Sequence, residues 1–159
     1  MKREAVLEHQ CETGIVELWV DIAGYEGKYQ VSNLGRIKSL ERIRRGKNNS
    51  KVPIPEKIMK IQIKKDKGRQ KPYAEICLRN GDVRSVNGKQ KLVHRLVAHA
   101  FIKPLENDEQ VDHVNGIHND NRVENLRIMK AREHAKIHPI VINPLQRNQE
   151  TGQFISRSA

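Results

Sequence analysis

Residues 111–135 of the chain read VDHVNGIHNDNRVENLRIMKAREHA. This segment begins with a carboxylate beside an imidazole, Asp112 and His113, and an Asn-Gly turn follows them. An Asn-rich stretch then leads into a basic run of helical composition that carries a second imidazole, His134. Asp and neutral His offer oxygen and nitrogen ligands that suit a divalent metal, and a neighbouring His can take a proton from water near neutral pH. We interpret the segment as a metal site with an adjacent general base.

The spacing of apolar residues around this segment predicts an α+β fold. Gln110–Val114 and Leu126–Met129 have the composition of two hairpin strands, and Lys130–His138 has that of a short helix stopped by Pro139. Upstream, residues 91–102 read KLVHRLVAHAFI, with apolar residues at helical spacing. We therefore expect an amphipathic helix that ends near Pro104.

Strand signals precede that helix. Residues 58–63 are rich in Ile, and residues 73–78 form a second strand-like run that is followed by the hairpin signal Asn80-Gly81. Residues 19–40 alternate in short runs between Gly and Asn turns, and their Trp19, Ile22, Tyr25 and Tyr29 should form a small core. Residues 41–57 show no apolar periodicity, which favours a loop or arm.

These patterns suggest a division of the chain into four parts. Residues 1–18 are expected to be a lead-in, either a short helix or loosely structured, and residues 19–57 a small module with a basic arm. Residues 58–138 would form the second domain with its leading strands. Residues 139–159 would be an extended or partly disordered tail.

The net charge of the chain is concentrated in one segment. The formal charge of the 159 residues is +11, and residues 36–71 alone hold 14 Lys or Arg against 3 Asp or Glu. These charges alternate with Pro, Gly, Asn and strand-like runs, whereas a membrane-binding helix would need apolar residues at helical spacing. The segment therefore favours a nucleic-acid partner over a membrane.

The cysteines and the N-terminus indicate an intracellular protein. Cys11 and Cys77 form no CxxC pair, so a Cys-ligated zinc site has no support. The first residues, MKREAVLEHQ, lack the apolar core of a signal peptide. We therefore expect an intracellular, cytoplasmic protein.

Two segments of the sequence resemble a known family. Residues 94–138 are similar to the HNH endonuclease domain, through His94-Arg95-Leu96-Val97, Asp112-His113, Asn115-Gly116 and Asn125-Leu126. Residues 19–40, with GYEGKYQVSN and GRIKSL, resemble the small module that commonly precedes this domain in phage and intron-encoded homing endonucleases. The resemblance implies a ββα-metal nuclease domain preceded by a small β-rich DNA-binding module.

The resemblance also implies roles for particular residues. Asp112 matches the metal-binding carboxylate and His113 the general base that activates the attacking water. Counting along the family frame gives His134 as the second protein ligand, with His138 as the alternative one helical turn along. Asn125 matches the central Asn of the catalytic motif, whose amide ties the loop between the strands to neighbouring backbone. The implied cofactor is Mg²⁺ or Mn²⁺, with no small-molecule cofactor.

We expect the basic segment to contact double-stranded DNA, and we expect a monomer that nicks one strand at its single site. The expected DNA contacts are cations within or near the basic segment, together with one on the amphipathic helix. These residues are Arg36, Lys38, Arg42, Arg44, Arg45, Lys60, Lys64, Lys65 and Arg95. Related homing endonucleases often carry a C-terminal helix-turn-helix, and residues 139–159 are too few for one, so we expect recognition to come from the N-terminal module and the basic strands.

Two other functions fit the sequence less well. A non-catalytic DNA-binding regulator on the same scaffold would have no need for Asp112, His113 and His134 together. An RNA-binding surface usually stacks bases on aromatic side chains, and the chain holds only 1 Trp, 3 Tyr and 2 Phe. Surface or structural roles are the ordinary alternative for the 7 His, and His118 in the Asn-rich loop is a weaker candidate for a substrate or metal contact.

Overall fold

The computed structural model describes residues 6–10, 16–65, 72–79 and 88–137. The Asn80-Gly81 turn, His138 and the tail from residue 139 were all assigned from the sequence, and they lie outside the described residues. Within these ranges no helix is long and apolar enough to cross a membrane.

The described chain consists of antiparallel strands and two α-helices, which confirms the α+β prediction. In chain order the elements are β1 (Val6–Gln10), β2 (Val16–Asp21), β3 (Tyr29–Ser32), β4 (Ile37–Ser39), β5 (Arg42–Arg45), β6 (Lys51–Ile54), β7 (Lys57–Ile58), β8 (Gln62–Lys65), β9 (Pro72–Leu78), β10 (Lys89–Leu92), α1 (Val93–Phe101), β11 (Glu109–His113), β12 (Leu126–Lys130) and α2 (Ala131–Ile137). The strands form a five-stranded sheet in the order β1-β2-β3-β4-β7, a three-stranded sheet in the order β10-β9-β8, and the hairpins β5-β6 and β11-β12.

The N-terminal half differs from the sequence-based expectation in two places. The lead-in that was expected through residue 18 contains β1 and the start of β2, which pair with each other. The arm expected over residues 41–57 is a hairpin, in which Ile43 lies opposite Pro53. Its strands gave no periodic signal because the hairpin projects into solvent, and the Ile43 side chain is 68% exposed. The suggested domain boundaries after residues 18 and 57 both fall inside strands, β2 and β7.

A single hydrophobic core joins all the larger elements. It combines buried side chains from the five-stranded sheet, the three-stranded sheet, α1 and the β11-β12 hairpin, and its members are Ile22, Tyr25, Tyr29, Val31, Ile37, Ala74, Ile76, Leu78, Val93, Val97 and Leu126. Helix α1 lies at the centre, because it contacts β3, β9, β10, β11 and β12. Of the small core expected from the sequence, Ile22, Tyr25 and Tyr29 belong to this larger core, whereas Trp19 is buried but is not among its members.

A shared core predicts that the two halves of the chain unfold together. Ile37 is fully buried in the first sheet, so Ile37→Ala should lower the free energy of unfolding by about 2–5 kcal/mol. Urea unfolding followed by the fluorescence of the single Trp, which reports on the N-terminal sheet, and by far-ultraviolet circular dichroism should give one coincident transition in both proteins.

The matched control is Ile43→Ala, in which the same side chain is removed from an exposed hairpin position. It should leave the free energy of unfolding within about 0.5 kcal/mol of the wild-type value. Two separated transitions, with Ile37→Ala shifting only the one seen by fluorescence, would contradict a shared core.

Candidate active site and metal centre

The β11-β12 hairpin and α2 bring together the three residues that the sequence singled out. Asp112 and His113 end β11 and are 5% and 4% exposed. In the hairpin register Asp112 lies opposite Arg127, and His113 lies opposite Leu126. Helix α2 packs against both strands, and it places His134 beside Asp112. Neighbouring residues of a strand direct their side chains to opposite faces, so Asp112 and His113 have different surroundings.

The two oxygens of the Asp112 carboxylate have different neighbours. Oδ2 accepts hydrogen bonds from Arg127, at 2.8 Å from Nε and 2.7 Å from Nη2. Oδ1 lies 3.6 Å from Nε2 of His134, whose side chain is 31% exposed. Arg127 was not among the site residues predicted from the sequence. Its position opposite Asp112 in the hairpin register is the signal that could have identified it.

Asp112 and His134 offer a donor pair that fits a divalent metal. Two atoms bound to one Mg²⁺ at about 2.0–2.1 Å lie roughly 3–4 Å apart, and Oδ1 of Asp112 and Nε2 of His134 are 3.6 Å apart. No three His, Cys, Asp or Glu side chains gather into a metal cluster within the part of the chain that the structure describes. Among the described residues, the ligands that the resemblance implies for a metal are therefore Asp112 and His134, and phosphate oxygens and water would complete its shell. The identity of these ligands stays a prediction.

His113 is held by one hydrogen bond and by neighbouring rings. Its Nε2 lies 3.3 Å from Oδ1 of Asn121. The His94 ring approaches it edge-on with the centroids 5.2 Å apart, and the His118 ring lies at 5.4 Å. Tyr73 closes the group, at 5.4 Å from His94 and 5.1 Å from His118. We call Tyr73, His94, His113 and His118 the ring cluster.

The His94 ring is kept in its neutral form. Burial, and then the electrostatic effect of His113, lower the pKa of His94 to about 3. Its Nδ1 is buried and finds no hydrogen-bond partner among the described residues. The sequence offered no reason to place His94 against His113, because they lie on separate elements, α1 and β11.

The loop between β11 and β12 is fixed by amide and carboxylate groups. The Asn125 amide accepts a hydrogen bond from the Asn115 backbone at 3.0 Å and donates one to the Asp120 carbonyl at 2.8 Å. These are bonds of the kind expected for the central Asn, and a chemical role for Asn125 stays a prediction. A hydrogen bond from the Arg122 guanidinium, with another from the Asn115 amide, holds the pKa of Asp120 at about 2. At neutral pH the Asp120 carboxylate is therefore ionised and keeps its hydrogen bonds to Arg122 and Asn115 within the loop.

Two of the cations expected to contact DNA flank Trp19. The Lys38 ammonium lies 4.5 Å from the centre of the Trp19 ring and 3.6 Å from the Glu56 carboxylate. Lys38 is only 4% exposed, so its burial corrects its assignment to the DNA-contacting surface. Arg36 lies over the same ring at 5.6 Å and binds the carboxylate of Glu17, which is 2% exposed.

Arg42 also has a structural role. Its guanidinium donates hydrogen bonds to the Lys28 and Leu40 carbonyls and to the Ser39 hydroxyl, each at 3.0 Å. It also lies 4.9 Å from the centre of the Tyr29 ring. These contacts fasten the base of the β5-β6 hairpin to the five-stranded sheet, so they account for Arg42 without DNA.

The other predicted cations are more accessible. Three of them are exposed: Lys60, Arg45 on strand β5, and Arg95 on helix α1. Arg44 on β5 is half-buried. Lys64 and Lys65 lie on β8. DNA contact by these residues stays a prediction.

Comparison with known families agrees with this architecture. A model of the NUMOD4 motif matches residues 17–79, and a model described as HNH endonuclease matches residues 91–136. The second match contains Asp112, His113, Asn125 and His134. The two matches follow one another in the order that the resemblance predicts.

Two curated proteins are similar to this chain over most of its length. The uncharacterized HNH endonuclease L247 of Acanthamoeba polyphaga mimivirus is 32% identical over 124 residues, which are 76% of this chain and 25% of that protein. The DNA endonuclease I-HmuI of Bacillus phage SP01 is 40% identical over 109 residues, covering 69% of this chain and 50% of that protein.

A solved structure matches as well. The structure describing DNA binding and cleavage by the HNH homing endonuclease I-HmuI aligns with a TM-score of 0.57 and 36% identity, covering 76% of this chain and 56% of that one. This chain thus spans about half the length of I-HmuI and a quarter of L247. With both family models matched in order and the fold shared, this chain belongs to the HNH endonuclease family and carries a NUMOD4 motif before its HNH domain.

Proposed function

We propose that this chain is a divalent-metal-dependent DNA endonuclease that hydrolyses a phosphodiester bond. The observation that carries the proposal is the placement of Asp112 Oδ1 within 3.6 Å of His134 Nε2, next to a buried imidazole at His113. A ligand pair and a candidate base thus meet on one hairpin and its helix. The similarity to I-HmuI, a DNA endonuclease, supports DNA as the substrate.

The residues divide the work of hydrolysis as follows. Asp112 and His134 would hold Mg²⁺ or Mn²⁺, which when bound would neutralise charge on the scissile phosphate and on the leaving 3′ oxygen. His113 takes a proton from the attacking water as its oxygen approaches phosphorus. Arg127, 43% exposed, orients the Asp112 carboxylate. Its guanidinium also has further donors for the phosphate backbone.

The number of active sites per chain determines how many DNA strands one bound protein can cut. The HNH match covers residues 91–136 once, and it contains the one ligand pair to which the resemblance assigns a metal. A monomer with one such site breaks one strand, so nicking is the expected activity. A double-strand break would require two chains or two events.

The β5-β6 hairpin is the part of the protein that we assign to the DNA groove. A two-stranded ribbon fits the major groove of B-DNA, and this hairpin is exposed on the face that carries Arg45 and Lys51, which lie opposite each other. The same face carries Ile43, which is 68% exposed. Cations beside apolar groups suit contact with both phosphates and base edges.

Removal of the candidate base should slow hydrolysis strongly and leave DNA binding intact. His113→Ala should slow nicking of supercoiled plasmid in Mg²⁺ or Mn²⁺ by about 10²–10⁴-fold, because the imidazole proposed to take the proton from the attacking water is lost. His99→Ala, which alters a half-buried imidazole on α1, is the matched control and should nick at the wild-type rate.

Asp112→Asn and His134→Ala should each weaken the binding of the metal that the same reaction requires. Their plasmid nicking should need higher Mn²⁺ concentrations than wild type, whereas His113→Ala should keep the wild-type metal dependence of its residual rate. DNA bound tightly without metal, and left uncut by wild type in any divalent ion, would instead identify a DNA-binding regulator.

Neutralising the hairpin should weaken DNA binding in a salt-dependent way. The double variant Arg45→Gln/Lys51→Gln should bind duplex DNA more weakly, and the slope of log K against log salt should flatten by about 0.9 for each phosphate that is no longer neutralised. Filter binding or fluorescence anisotropy over a salt series measures both quantities.

The control removes the same charge elsewhere. Lys103→Gln/Lys130→Gln eliminates two cations that already face Glu109 and Asp108 at 2.6 and 3.6 Å, so its salt slope should match wild type. Equal slopes for the two double variants would refute the assignment of the hairpin to DNA.

A further inference from the structure

A turn of the NUMOD4 motif touches the catalytic loop of the HNH domain. The backbone amide of Val123 donates a hydrogen bond to the Asn33 carbonyl at 2.8 Å. Gly35, two residues along the same turn, is buried against Asn121, such that a Cβ at Gly35 would lie 2.9 Å from the Asn121 Cβ and 3.0 Å from its carbonyl oxygen. Asn121 is the residue whose side chain meets His113.

The turn is itself firmly attached to the first sheet. The Asn33 side chain accepts a hydrogen bond from the Leu18 amide at 2.9 Å and donates one to the Val16 carbonyl at 3.1 Å. The backbone N–H of Asn33 also donates a hydrogen bond to the Leu18 carbonyl at 3.1 Å. Since Val16 and Leu18 belong to β2, the position of the turn is set by the NUMOD4 sheet and not by the HNH hairpin.

Asn121 has only one amide orientation that satisfies its surroundings. Its Nδ2 donates to the Asn119 carbonyl at 3.1 Å, and a carbonyl can only accept, so the side-chain oxygen must face His113. That oxygen in turn needs a donor, and the His113 atom 3.3 Å away is Nε2. A neutral His113 therefore carries its proton on Nε2, which leaves the lone pair of Nδ1 to accept a proton from water.

We propose that the NUMOD4 turn at residues 33–35 is a positioning element for the general base, acting through Asn121 to fix the tautomer and orientation of His113. The proposal rests on the function proposed above, in which His113 is that base. Asn121 and Gly35 are positioning residues, because neither touches the reacting atoms. The two family modules then form one catalytic unit, and the first does more than bind DNA.

The close packing at Gly35 makes this contact testable with a single methyl group. Gly35 has a φ of +81° and faces Asn121, whereas Gly24 has a φ of +79° with nothing within 4 Å of the position of its Cβ. Alanine at either position meets the same backbone strain. Only alanine at Gly35 also pushes on Asn121, so Gly24→Ala is a matched control for Gly35→Ala.

The first experiment separates hydrolysis from binding. Gly35→Ala should slow single-turnover nicking by roughly ten- to a hundredfold, the cost of a small misplacement of a reacting group, with DNA affinity and thermal unfolding equal to those of Gly24→Ala. Asn121→Ala should show the same loss of rate at unchanged affinity. Equal nicking rates for Gly35→Ala, Asn121→Ala and Gly24→Ala would overturn the proposal.

The second experiment reads the tautomer of His113 without DNA, metal or turnover. In protein with isotope-labelled histidine nitrogens at alkaline pH, nuclear magnetic resonance should show His113 protonated on Nε2 in wild type and in Gly24→Ala. Asn121→Ala and Gly35→Ala should show a mixture of tautomers.

The two readouts distinguish failure of this inference from failure of the proposed function. If wild type nicks no DNA but the tautomer shifts as described, the structural coupling stands and the assignment of an endonuclease falls. If wild type nicks DNA and the tautomer of His113 is unchanged in Asn121→Ala and Gly35→Ala, the coupling is refuted and the endonuclease stands.

Discussion

The burial of one face of α1 is the constraint on which both the fold and the site depend. Val93 and Val97 are fully buried, and the helix contacts strands of the five-stranded sheet, the three-stranded sheet and the β11-β12 hairpin. Because α1 is short, its single apolar face packs against all three of these units at once. This fixes the distance between the NUMOD4 sheet and the HNH hairpin, and it places His94, the neighbour of Val93, against His113.

The elements that the sequence predicted well are those whose signal is local. Helix α1 and the hairpin strands β11 and β12 follow apolar patterns within one short run, and they form close to where they were expected. The β5-β6 hairpin was interpreted as a loop or arm because none of its residues is fully buried, so it needs no regular apolar alternation. Pairing of β1 with β2, and of β7 with β4, depends on contacts between separate segments, which periodicity does not report.

The site divides in the same way. Its ligand pair and its base could be proposed from their spacing and from a family resemblance, and Arg127 could have been deduced once the hairpin register was drawn. His94 and Gly35 could not, because their approach to the site depends on how α1 and the NUMOD4 turn pack in three dimensions. Positive charge in the sequence was a weak predictor of DNA contacts, because packing decides which cations are accessible. Lys38 is buried, and Arg36 binds a buried carboxylate. Only the accessible cations of the basic segment can meet a polyanion.

The charges around Asp112 explain why the site can hold a cation and a base together. An ionised carboxylate that is 5% exposed needs a partner, since an unpaired buried charge is strongly unfavourable, and Arg127 supplies it at Oδ2. Oδ1 faces His134 on the other side. The ring against His113 is His94, whose pKa of about 3 keeps it neutral at physiological pH. A protonated imidazole there would repel both the proton that we propose His113 takes up and the divalent cation that we propose at Asp112, so the burial of His94 keeps this position uncharged.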